Sequence, residues 1–150
     1  MTEKQTKEME KKSYISRLCI YLGINGFSQT SERRAIAEAI ADFDKHFTIH
    51  DLQSYLQNNK YHISLATLYN NINLMINAGL VNKYQFSTNG QPYYEKCLDN
   101  QRHNHIYNIK SKELIEFSDP KISEIITDIE QKYNLKVLQH SFIIYLENNN

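Results

Sequence analysis

The run SLATLYNNINLMINAGLVNKYQFSTNGQPYYEK, from Ser64 to Lys96, decides the fold. Its first part sets Leu65, Leu68, Ile72, Met75 and Ile76 on one side at the three-and-four spacing of an amphipathic helix, and Gly79 closes it. The exposed side carries Thr67, Asn70, Asn71 and Asn73, which donate and accept hydrogen bonds without charge. Two β-type runs follow, Leu80 to Phe86 and Gln91 to Lys96, around Ser-Thr-Asn-Gly, where Asn89-Gly90 is a hairpin signal. A polar-faced helix that leads directly into a hairpin reads as the second half of a winged helix-turn-helix.

Upstream, three further helices are expected. Tyr14, Ile15, Leu18, Cys19 and Leu22 give a first helix over Ser13 to Leu22 that Gly23 and Gly26 break. A second starts near Thr30 or Ser31, with Ala35, Ile36, Ala39, Ile40 and Phe43 on one face behind a hydroxyl cap. Thr48-Ile-His-Asp51 has the form of a capping box, with Asp for the usual Glu, and opens a third through Leu52, Tyr55 and Leu56. Downstream, strands are expected over His103 to Ile109 and Glu113 to Phe117. Ser118-Asp119-Pro120 starts an amphipathic helix with Ile122, Ile125, Ile126 and Ile129, and a last strand runs from Leu135 to Leu146. The expected fold is α+β: a winged helix over residues 1–96 and a small α/β domain over 97–150. Its three-stranded sheet is too small to stand alone comfortably, so a partner subunit is expected.

Composition bounds the partners. The 150 residues carry no net charge, with 10 Lys/Arg against 8 Asp/Glu through Phe86 and 7 against 9 after it. A bulk polycation that grips nucleic acid anywhere is therefore excluded, and any DNA contact must be local. No apolar run is long enough to span a bilayer, and MTEKQTKEMEKK lacks the apolar core of a secretory signal, so a cytoplasmic protein without membrane contact is expected. Cys19 and Cys97 form no CxxC pair, and both read as reduced thiols.

His103-Asn104-His105 is the sharpest chemical feature, because residues two apart in a strand share a face and both imidazoles can reach one ion. With a two-residue loop at Lys110-Ser111, Ile109 pairs with Lys112 and His105 lies opposite Glu116. A His/His/Glu cluster suits Fe(II), Zn(II) or Mn(II). His50 and His62 read as solvated surface residues, and Cys97 as a structural thiol. A metalloenzyme and a metal-independent winged-helix protein are the competing readings. The first is disfavoured because no additional acid or base, Gly-rich phosphate loop or Ser-His-Asp set accompanies the ligands, so no catalytic residue is assigned.

Ser64 to Val81 resembles the recognition helix and wing of repressors of the ferric uptake regulator (Fur) superfamily. Arg102 to Phe117 (RHNHIYNIKSKELIEF) is similar to that family's HHDH segment and following strand pair, and Leu138 to Leu146 (LQHSFIIYL) to its last strand. Arg33 and Lys45 to Leu52 (KHFTIHDL) match its second and third helices. The resemblance implies a metal-responsive repressor of metal-homeostasis genes, acting as a homodimer or tetramer on double-stranded operator DNA. It implies one divalent ion per subunit, foremost Fe(II), held by His46, Glu95, His103, His105 and Glu116. It also implies DNA contacts by Ser64, Thr67, Tyr69, Asn70 and Asn71, with Arg33 on a phosphate.

The departures are equally specific. The positions of the family's first structural-zinc cysteine pair read Asn108 and Ser111, and no cysteine follows Cys97, so no four-cysteine zinc is expected. A further family site reads Arg102, Asn104, Ser123 and His140, with only His140 retained and Glu124 beside Ser123. Peroxide-sensing relatives tend to place Asp where Glu95 stands. Asn70 replaces a frequent Arg after Tyr69, which favours adenine over guanine in direct readout. Gly26-Phe27-Ser28 lacks the Lys that some relatives insert into the minor groove.

Overall fold

Thr2 starts the first helix. Its hydroxyl accepts from the Gln5 N–H while the Gln5 side chain accepts from the Thr2 N–H, and this capping box opens α1, Glu3–Asn25. The expected start at Ser13 is thus corrected: Glu3, Lys4, Lys7 and Glu8 are good helix formers, and charge alone is no barrier to helix. Gly23 lies within the helix, and Gly26 ends it in the left-handed region at φ 73°. In this computed structural model, residues 1–86, 90–98, 104–137, 140 and 142–148 are described, and the chain divides into two compact units between Asp99 and Asn100.

The first unit holds α1, α2 (Ser31–Asp42), α3 (Ile49–Asn58), α4 (Leu65–Asn77), β1 (Val81–Tyr84) and β2 (Tyr93–Lys96). Thr30, Thr48 and Ser64 cap α2, α3 and α4, each accepting from the N–H three residues on, and the Thr48/Asp51 box is closed on both sides. Core residues arrive from every element: Tyr14 and Leu18, Ile36 and Ile40, Leu52 and Leu56, Leu68, Ile72 and Met75, then Leu80, Val81 and Tyr94. Burying each such side chain stabilises the unit by about 1.5–3 kcal/mol. β1 and β2 pair antiparallel from Val81↔Lys96 to Tyr84↔Tyr93, and residues 87–89 of the expected hairpin turn lie outside the described residues.

The second unit holds β3 (Asn104–Asn108), β4 (Leu114–Phe117), α5 (Pro120–Tyr133) and β5 (Ile143–Leu146), with sheet order β4-β3-β5. β3 pairs antiparallel with β4 and parallel with β5. The turn corrects the two-residue loop while preserving its register. Asn108 and Glu113 close it, the Asn108 Oδ1 accepts from the Lys110 and Ser111 N–H groups, and Lys112 adopts φ 63°. Asp119 caps α5 with Pro120 at its first position, and Asn134 ends it in the left-handed region. β5 is shorter than the expected Leu135 to Leu146, since α5 runs to Tyr133 and residues 138, 139 and 141 lie outside the described residues.

Candidate metal centre and nucleic-acid surface

In the second unit, His105↔Glu116 is a direct cross-strand pair, flanked by Asn104↔Phe117 and Ile106↔Ile115. Directly opposed residues share a face, and ligand atoms of the two side chains lie within 4.8 Å of each other. His105 is 1% exposed. An imidazole and a half-buried carboxylate at this separation fit two ligands of one hard or borderline divalent ion. His103, the third ligand expected here, lies outside the described residues. On the other face of β3, Asn104 is buried, and its side-chain oxygen has no hydrogen-bond partner among the described residues.

In the first unit, β2 receives an isolated antiparallel bridge from Phe47, whose N–H donates to the Tyr94 carbonyl at 2.8 Å while the Tyr94 N–H donates back at 2.7 Å. The bridge sets the segment that carries His46 beside the strand that carries Glu95, each one residue from the bridged pair. Glu95 is buried, His46 is half-buried, and the His46 ring meets Tyr93 edge-on at 5.2 Å. Nothing in the sequence signals a one-residue bridge, so this pairing was not legible there. Burial, and secondarily the Glu95 charge, push the Cys97 thiol up to about 11, above the usual thiol range.

The amino-terminal helix braces the wing, a role the sequence reading missed. The Tyr14 hydroxyl donates to the Leu80 carbonyl at 2.8 Å, and Arg17 donates from Nη1 to the Cys97 carbonyl at 2.7 Å and from Nη2 to the Gly79 carbonyl at 3.3 Å. Both ends of the β1/β2 hairpin are thereby held by α1. The available signal was Tyr14 itself, since a tyrosine on an apolar helix face needs a buried partner for its hydroxyl.

On α4, Ser64, Tyr69 and Asn70 are exposed and Thr67 is half-buried. The Ser64 hydroxyl accepts from the Thr67 N–H and donates to Thr67 Oγ1 at 3.0 Å, so both hydroxyls take part in the cap. Asn71 is a correction: it is 7% exposed, not part of the exposed face. Its Oδ1 accepts from Arg33 Nε at 2.9 Å and its Nδ2 donates to the Thr67 carbonyl at 2.9 Å. The helical spacing put Asn71 beside Asn70, but the neighbouring Arg33 gives its amide an internal partner, which permits burial.

A sequence profile described as "Ferric uptake regulator family" matches residues 24–145. The chain is 32% identical over 121 residues to the ferric uptake regulation protein of Vibrio parahaemolyticus, covering 80% of each sequence. It is 29% identical over 121 residues to that of Escherichia coli, again with 80% of each covered. Among solved structures, the ferric uptake regulator (Fur) of Vibrio cholerae matches with a TM-score of 0.63 at 29% identity, over 85% of this chain and 96% of that one. The ferric uptake regulator of Francisella tularensis with iron matches at 0.62 and 27%, over 82% and 92%. With the profile spanning both units and the fold reproduced, the chain belongs to the ferric uptake regulator family.

Proposed function

We infer that the chain is a metal-responsive transcriptional regulator that binds Fe(II) and, so loaded, represses genes of metal homeostasis. The observation that carries the reading is the pairing of buried His105 with half-buried Glu116, set in register on adjacent strands of a chain of this family. The ligand set we propose is His46, Glu95, His103, His105 and Glu116, one divalent ion per subunit, without a four-cysteine zinc. The relatives' name supports iron, because the donor types alone serve Zn(II) and Mn(II) as well. His46 and Glu95 belong to the first unit and the other three to the second. Ion and operator would bind with positive, reciprocal coupling.

The operator is double-stranded DNA. Tyr69 and Asn70 on the exposed face of α4 read base edges, Asn70 by paired hydrogen bonds to adenine, while Ser64 and Thr67 meet the backbone. The protein acts as a homodimer through its second unit, where the single helix and small sheet leave Ile125, Ile129 and Tyr133 of α5 exposed. No catalytic role is assigned. No helix among the described residues is long and apolar enough to cross a membrane, and we place the protein in the cytoplasm.

Elemental analysis of protein reconstituted with Fe(II), Zn(II) or Mn(II), beside His105→Ala, tests the reading. About one ion per subunit in the parent, little in the variant, and sequence-selective DNA binding only by the loaded parent are expected. Equal DNA binding by loaded parent and His105→Ala would leave a metal-independent winged-helix protein.

A further inference from the structure

Arg33 lies in the first turn of α2 and is half-buried. Its guanidinium is committed inside the first unit. Nε donates to Asn71 Oδ1 at 2.9 Å, Nη1 donates to the Ser28 carbonyl, and Cζ sits 6.0 Å from the centroid of the Phe27 ring, which itself stacks on Tyr21. Asn71 completes the chain by donating to the Thr67 carbonyl of its own helix. One planar cation thus ties together the loop after α1, the start of α2 and the middle of α4.

The side chains that α4 buries in the core are otherwise apolar: Leu68, Ile72 and Met75 are fully buried. Such packing is strong but non-directional, and tolerates small rolls of a helix about its axis. A hydrogen bond is directional, and Asn71 directly follows Tyr69 and Asn70, the exposed pair on α4. A roll of a few tenths of an ångström at Asn71 displaces Asn70 by a similar amount, and paired hydrogen bonds to one base edge require placement within about 0.5 Å.

We propose that Arg33 is a positioning residue for base readout: through Asn71 it sets the roll of α4, and its contribution to DNA recognition is this geometry rather than charge offered to a phosphate. The proposal rests on the reading of α4 as the DNA-contacting helix. Its chemistry is specific to arginine, because the planar fork serves two divergent acceptors at once, which a lysine ammonium on a flexible stem does not reproduce.

The test uses metal-loaded full-length parent, Arg33→Lys, Asn71→Ala and the double variant. Each is titrated, over a range of salt, with the duplex that the parent selects from a randomised pool and with an unselected duplex. We expect each single variant to lose about tenfold in affinity for the selected duplex, the double variant to lose no more, and unselected binding and the salt slope to stay unchanged. Arg33→Lys that retains parental affinity overturns the proposal, because a phosphate contact needs only the charge. Additive losses overturn it too, as does a lower salt slope in Arg33→Ala, titrated beside these four proteins, which marks a lost phosphate contact. A urea-unfolding cycle on the same four proteins reads the tie without DNA: coupling between the two substitutions is expected, and its absence overturns the proposal. A pool from which the parent selects nothing removes the DNA reading itself, and this role with it, whatever the unfolding cycle shows.

Discussion

Tyr14 carries the residue scale. Burial, above all, raises its hydroxyl pKa, and that hydroxyl meets the Leu80 carbonyl at the base of the wing. Tyr14→Phe leaves this carbonyl without its side-chain donor and should lower unfolding free energy by about 1–3 kcal/mol, read by urea titration, with unchanged helix content. Tyr55 is the second case. Its hydroxyl donates to Asp42 at 2.6 Å, and that bond foremost, with lesser contributions from burial and the Asp42 charge, pushes it up to about 12 from 10.0. A raised folded-state value adds stability below the unfolded value, and this is lost as pH rises through the folded one. Parental stability should therefore fall more steeply than that of Tyr55→Phe between about pH 10 and 12, as measured by denaturation at a series of pH values. Parallel curves would show that the Asp42 bond is not maintained in solution.

At the scale of elements, caps decide where helices begin. Thr48 and Asp51 satisfy each other's backbone N–H, and this box starts α3 two residues after His46 and one after the Phe47 bridge. Thr48→Ala should cost about 1 kcal/mol in urea unfolding and, because it loosens the segment that carries His46, weaken metal binding as well. Retained metal affinity at reduced stability would separate the cap from the ligand. The caps at Thr30, Thr48 and Asp119 and the β3/β4 register were legible because each is local: capping residues stand at their helix starts, and a short connection between the two strand runs fixes the pairing, whereas the Ser64 cap was not read from the sequence. The turn at Asn108 was not legible in detail. A side chain that accepts two backbone N–H groups competes with the tighter loop that spacing alone suggests.

For the whole molecule, the balance of buried and exposed apolar surface differs between the units. The first has its own core, whereas in α5 only Ile126 is buried and Ile125, Ile129 and Tyr133 lie exposed at four-residue spacing. In the homodimer proposed above, a second copy of the chain would cover this apolar stripe. Ile125→Glu with Ile129→Glu should yield a monomer in sedimentation and abolish high-affinity operator binding, since one subunit meets one half-site. A dimer that persists would place the interface elsewhere.

The order of elements, the hairpin after α4, and the pairing of His105 with Glu116 follow from the sequence by itself, because periodicity, capping and strand alternation act over a few residues. Tertiary structure alone decided which polar groups are internal. It buried Asn71 against Arg33, brought the segment of His46 beside β2 through the bridge at Phe47, and set Tyr14 and Arg17 of α1 against the base of the wing at Leu80, Gly79 and Cys97. These contacts join residues distant in the chain, and a hydrogen bond between such residues leaves no periodic trace in either segment.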